Sequence, residues 1–152
     1  MVTNKWINGD EDFSEALKIR ETVFIKEQNC PVSIERDGDD KSSIHLVLYG
    51  NNKAVGCGRI TFKKGYYKIG RIAVLKPMRG NHYGDLIVRL LLFKSFKMGA
   101  DEVRLNAQTQ ALEFYKRFGF NPIGKIFMEA GIEHISMKVT SENVVYPSDC
   151  SS

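Results

Sequence analysis

Little in this 152-residue chain could staple it covalently or hold it in a bilayer. Cysteine is scarce: Cys30, Cys57 and Cys150 are odd in number and widely spaced. They form neither a CxxC pair nor a metal-ligand spacing, so no disulfide framework and no metal are expected. The longest apolar stretch, "LIVRLLLF", is interrupted by Arg89. It falls far short of the roughly 20 residues that span a membrane. The opening "MVTNKWINGDEDF" lacks an apolar signal core. The expectation is a cytoplasmic protein with no membrane partner. Charge of one sign is also thin, with 22 basic against 18 acidic residues, a net +4 spread along the chain. Such an excess suits a polyanionic small molecule and argues against a nucleic-acid partner. Two nucleotide signatures are missing as well. There is no GxxxxGK[ST] and no GxGxxG, which excludes a P-loop kinase and a nucleotide-dependent dehydrogenase.

What is present is ordinary globular composition, with 43% hydrophobic residues, 26% charged residues and four prolines. A chain of this length makes one domain and buries roughly 70% of its unfolded surface without staples. "DEDFSEALKIRETVFIKEQ" carries apolar residues near helical spacing; Asp10 or Asp12 can cap it, and Pro31 ends it. "VSIERDGDDKSS" reads as a polar loop. Strands are expected at 44–49 and 54–62, joined by "GNNK", and at 69–75 after the turn "KKGYYK". "DLIVRLLLFKSFKM", 85–98, is apolar around most of its circumference and reads as a helix buried on a sheet, stopped by Gly99. "EVRLNAQ", 102–108, is a further strand, so the strands holding Val74 and Leu105 should be parallel neighbours in a βαβ unit. "ALEFYKRFGF" reads as a short helix with Gly119 as its stop, followed by the strands "IGKIFMEAG" and "IEHISMKV". The sum is one α/β domain with a mixed sheet, residues 1–140, and a polar tail, 141–152, that reads as loose.

The chemistry concentrates in "MRGNHYGD", 78–85, between the third strand and the long helix. First-turn N–H groups there have no intrahelical partners, and the helix dipole adds positive character. A diphosphate fits such a place. Gly80 and Gly84 leave the backbone bare, and Arg79 adds a permanent cation. A strand-to-helix glycine turn without a ligand is the alternative. His82 stands where another glycine would tolerate positive φ, which costs a histidine less than most residues.

Several separated motifs resemble the GCN5-related N-acetyltransferase (GNAT) family: "IGRIAVLKPMRGNHYGDLIVRLLL", "VRLNAQTQALEFYKRFGF" and "GKIFMEAGIEHISM". "VFIKEQNCP" and "HLVLY" are similar to its small bacterial ElaA/YjcF-like branch. The resemblance covers roughly residues 13–139. It implies the acyl-CoA N-acyltransferase fold, a mixed sheet whose central parallel strands splay apart. It also implies acetyl-CoA as co-substrate and a primary amine acceptor, on a small molecule or a peptide. In the family's (Q/R)-x-x-G-x-(G/A) signature, Arg79 matches the first position and Gly84 the last, while His82 breaks the middle glycine. The cradle would then comprise Arg79, Gly80, Asn81, His82, Tyr83 and Gly84. Ile72, Ala73 and Val74 would offer backbone to the pantetheine arm. Asn106 and Phe114 would contact the cofactor. Tyr115 would be the acid that protonates the leaving thiolate. Glu27 and His134 are the candidate bases, with Glu129 near the latter, and His45 is read as structural. A homodimer is a further expectation from the family. The alternative function is a CoA-binding sensor or interaction module with little or no turnover.

Overall fold

The computed structural model describes residues 1–147. Seven strands form one sheet in the order β1-β2-β3-β4-β5-β7-β6. They are β1 (Val2–Asn8), β2 (Ile44–Gly50), β3 (Lys53–Lys63), β4 (Tyr66–Val74), β5 (Glu102–Gln108), β6 (Asn121–Glu129) and β7 (Ile132–Thr140). The helices are α1 (Ser14–Arg20), α2 (Val32–Glu35), α3 (Tyr83–Lys97) and α4 (Leu112–Lys116). All neighbouring strands are antiparallel except β4 and β5. This is the mixed α/β sheet expected from the sequence.

The sheet separates two cores. On one face α3 lays Ile87, Val88, Leu91 and Leu92 over Leu46, Ile60, Ile69, Val103 and Met137. The approach is close because β3 is bare beneath it: a Cβ on Gly58 would come within 2.7 Å of Leu91. On the other face Ala16, Ile19 and Val23 pack on Val47, Cys57 and Ala73. Leu46, Leu48 and Ile60 are fully buried. Burying a side chain of this kind stabilises by about 1.5–3 kcal/mol before entropy is counted.

Several expectations need correcting. The first helix is not uniform. α1 runs into a π-helical segment, Glu21–Glu27, where Gln28 N–H reaches the Val23 carbonyl. Asp12 does receive the Ser14 N–H, at 3.0 Å. The polar stretch after Pro31 contains α2 and a 3₁₀ turn, Asp40–Ser42, rather than only loop. β1 was not expected. α4 is five residues long, preceded by a 3₁₀ turn, Thr109–Ala111. The tail through residue 147 is partly tied down, since Val145 N–H bonds Phe118 O at 2.9 Å. The rest of the tail, with Cys150, lies outside the described residues. Cys30 and Cys57 are free thiols. Among the described residues no helix is long and apolar enough to cross a membrane.

The βαβ unit holds, with one difference. β4 and β5 pair only at Tyr67–Val103 and Lys68–Arg104. Beyond that point the pairing ends, so Val74 and Leu105 belong to parallel strands that are no longer hydrogen-bonded there. A bulge in β4 gives the cause. Cys57 pairs with Ala73 but Arg59 pairs with Gly70, so β4 holds one extra residue there. Arg71, within it, has φ of 51°. A bulge bends its strand and adds twist, which turns the end of β4 away from β5.

Candidate functional site

The gap between β4 and β5 opens into a cleft of about 1110 Å³. Its walls are β4 from Lys68 to Val74, the start of α3, α4, the segment Val23–Asp37 and the β6–β7 turn. Because β5 pairs no further than Lys68, β4 from Gly70 to Val74 has no strand on that side. Ile72, Ala73 and Val74 line the cleft there.

The loop before α3 meets the same cleft through Arg79, Gly80, His82, Tyr83 and Gly84. His82 takes the left-handed conformation, φ 62° and ψ 18°, at the N-cap. Its carbonyl accepts the helix's first i→i−4 bond, from Leu86 at 3.1 Å. No side chain caps this end, so its first-turn donors are left for solvent or a ligand. A Cβ added at Gly80 or Gly84 would meet nothing within 4 Å, so both face open space. Asn81 does not line the cleft; its amide donates to Met78 O at 2.9 Å. Asp85 is neutralised by Arg89 and Arg117, at 3.0 and 3.1 Å.

Arg79 is turned across the mouth. Its two terminal nitrogens donate to both carboxylate oxygens of Glu27, at 2.7 and 2.8 Å, and its Nε donates to Val74 O at 3.0 Å. Arg79 hydrogen bonding holds the Glu27 carboxyl below its ordinary range. Glu27 itself is not a cleft-lining residue.

Tyr115 and Phe114 form the far wall, their rings edge to face at 5.1 Å. Burial pushes the Tyr115 phenol up to about 12. Its hydroxyl bonds no described residue. Asn106 lines the cleft from β5 and accepts a bond from Ser136 at 2.8 Å. His134, on β7 opposite Gln108, is buried, with Nδ1 2.7 Å from Ile132 O and Nε2 3.7 Å from Glu129. With Nδ1–H donating to that carbonyl, Nε2 carries the free lone pair of the neutral ring.

Two groups of residues in this region carry no sequence signature. The first is a charge cluster beneath the Val23–Asp37 segment. Arg20 bonds Glu35 at 2.7 Å and Asp40 at 2.8 Å. Arg59 bonds Asp37 and Asp40, and Arg71 reaches Asp37 at 3.0 Å and the carbonyls of Ile34 and Glu35. The acids of "ERDGDD" are therefore largely spent on internal arginines rather than offered to a cationic ligand. His45, fully buried, joins this cluster through Asp40 O and stacks on Phe13 at 4.2 Å, a structural place as expected. The second is Lys68, at the floor of the cleft.

A mixed sheet with a splayed parallel pair beside an uncapped helix start is the architecture of the GNAT acyltransferase fold. The sequence profile of the acetyltransferase (GNAT) domain matches residues 10–141, and the chain belongs to that family. It is 43% identical over 129 residues to the uncharacterised N-acetyltransferase YjcF of Bacillus subtilis, covering 84% of this chain and 92% of that one. Two crystal structures superpose closely. The acyl-CoA N-acyltransferase of Pseudomonas aeruginosa gives a TM-score of 0.83 at 25% identity, over 91% of this chain and 99% of that one. Escherichia coli ElaA gives 0.81 at 31% identity, over 90% and 98%.

Proposed function

We propose that this acyltransferase is an N-acetyltransferase that uses acetyl-CoA and a primary amine, both bound before direct attack. The observation that carries the reading is the gap between β4 and β5 with the open helix start of α3 at its edge. A diphosphate suits the bare loop at Gly80 and Gly84 and the donors that follow His82. Arg79 would turn from Glu27 to meet it. The unpaired backbone of Ile72, Ala73 and Val74 can receive an extended amide-bearing arm as an added strand. Phe114 and Asn106 would flank its reactive end.

Acetyl-CoA supplies an activated thioester; the chain's part is to place the amine and handle protons. A lysine-like amine of pKa ~10.4 is mostly protonated near neutral pH and must lose a proton before attack. His134 is the better placed acceptor, directly or through water, because its Nε2 lone pair is free and it lines the cleft. Glu27 is the poorer base, because its pair with Arg79 favours the ionised form. A backbone N–H near Val74 would stabilise the oxyanion. Tyr115 stays protonated under all ordinary conditions and can donate to the departing sulfur.

Calorimetry with acetyl-CoA, followed by thiol release on an amine panel, tests this. The expectation is micromolar binding and amine-dependent thiol release. Binding without release on any amine would favour the sensor alternative, and no binding at all would remove both.

A further inference from the structure

The cleft has an electrostatic asymmetry where β4 and β5 separate. On β5, Val103, Leu105 and Ala107 face the α3 core, so Arg104 and Asn106 face the other way. On β7, Met137 and Val139 face that same core, so Lys138 shares the face of Arg104. On β4, Ile69 is in the core and Lys68 is opposite. Register then places the three cations in a row, Lys68 beside Arg104 and Arg104 beside Lys138. Like charges directly across neighbouring strands are destabilising, so packing alone does not account for the row.

Arg104 is satisfied. It pairs with Glu102 and lies over the Tyr66 ring at 4.2 Å. Lys68 is different: it forms no ion pair or side-chain hydrogen bond with a described residue. It lines the cleft at the point where β4 and β5 separate. Burial holds its ammonium below the ordinary lysine range, and Glu129 is the carboxylate that opposes this. Glu129 acts on it only at a distance and forms no ion pair with it, while Glu35 and Asp37 are taken by Arg20, Arg59 and Arg71. The cleft thus offers a cation with no described carboxylate within ion-pair distance.

We infer that the acceptor amine carries a carboxylate, and that Lys68 binds it, with Lys138 adding to the field. The inference rests on the acetyltransferase reading above and specifies its substrate class. A carboxylate gives Lys68 the charge-assisted bond it lacks, whereas a polyamine or a lysine-rich peptide would bring further positive charge to it. Lys68 lies three residues before the bulge, roughly 10 Å along the strand. That separation favours acceptors in which several bonds divide the amine from the acid.

The test is a series of ω-amino acids, from β-alanine to 6-aminohexanoate, each paired with its primary amide. Thiol release is measured with saturating acetyl-CoA, and each compound is also titrated by calorimetry into the CoA-loaded protein. The acids are expected to show KM or Kd at least about tenfold below the amides, a difference of ~1.4 kcal/mol. Lys68→Met should erase that preference, raising KM for the acids while kcat and acetyl-CoA affinity hold, as loss of uniform binding requires. Lys138→Met should erase it in part. Equal behaviour of acid and amide in the wild type overturns the inference, as does a preference that survives Lys68→Met. Acetyl-CoA binding and amine turnover without acid preference defeats this inference alone. Failure to bind acetyl-CoA defeats the acetyltransferase reading, and this inference with it.

Discussion

Arg79 is claimed by two chemistries, the Glu27 carboxylate it now holds and the diphosphate it would meet. The pair is part-exposed, 40% at Arg79 and 32% at Glu27, and exposed pairs contribute only about 0.2–1 kcal/mol. Glu27→Gln should therefore release Arg79 cheaply and tighten acetyl-CoA binding by about two- to fivefold. Arg79→Glu should weaken it by at least about tenfold. Calorimetry reads both, and an unchanged affinity in Arg79→Glu would end the phosphate assignment of this loop. Tyr115→Phe removes the proposed acid, and kcat should fall by about 10²-fold with KM little changed. The wild type should also show no fall in kcat near pH 10, where a free phenol ionises, because the Tyr115 pKa stands near 12. A fall centred at pH 10 that Tyr115→Phe abolishes would contradict the buried phenol. At this scale the sequence was informative where motif and backbone agree. His82 occupies a left-handed position, as its place in the glycine pattern suggested. Arg71 was invisible, because the partners that hold its side chain, at 34–37, are distant in sequence and nothing in its neighbours announces a positive φ.

At the scale of elements, the segment after Pro31 is held by charge more than by apolar contact. α2 is four residues, too short to be stable by itself. Arg20, 1% exposed, binds both Glu35 and Asp40 with paired hydrogen bonds and so ties α1 to the wall of the cleft. Removing one member of a buried network strands its partners and costs about 3–5 kcal/mol. Arg20→Ala should lower stability by about that amount in urea titration, whereas Lys26→Ala, in an exposed pair, should cost under about 0.5 kcal/mol. Equal losses would show the cluster to be incidental. The same contrast explains what could be read in advance. α3, β5 and the meander carry long apolar periodicity, and their bounds came within two or three residues. β1 buries only Ile7 fully, so its pattern is faint. α2 and the π-helical turn depend on contacts distant in sequence.

For the whole molecule, pH is the variable that joins these parts. His45 is buried with its pKa lowered, chiefly by desolvation, so folding favours its neutral form. Its contribution is complete above ~6.5, the unfolded value, and is lost as pH falls below it. Asp37 and Asp40 are held low by Arg59 and Arg20 against the opposing effect of burial. Their contribution is complete above ~4 and is lost as pH falls further. Cys57 works in the opposite direction. Burial raises its thiol to about 12, so the folded chain keeps a proton that the unfolded chain releases from about pH 9 upward. Stability should then fall with rising pH by up to ~1.4 kcal/mol per unit for that one proton. Tyr115 and Tyr49 each add a further proton from about pH 10, with folded pKa values near 12, while Lys68, held low by burial, offsets part of this loss. Urea midpoints between pH 4 and 11 should therefore form a plateau from about 7 to 9, with losses on both sides. Cys57→Ala will lower the plateau by leaving space beneath the bulge, but it should also flatten the first part of the alkaline limb. That change of slope separates the proton from the packing. An alkaline limb identical in wild type and Cys57→Ala would show that the thiol does not govern it. Because Cys57 Sγ–H reaches Arg71 O at 3.4 Å, its ionisation would be felt first at the β4 bulge that opens the cleft.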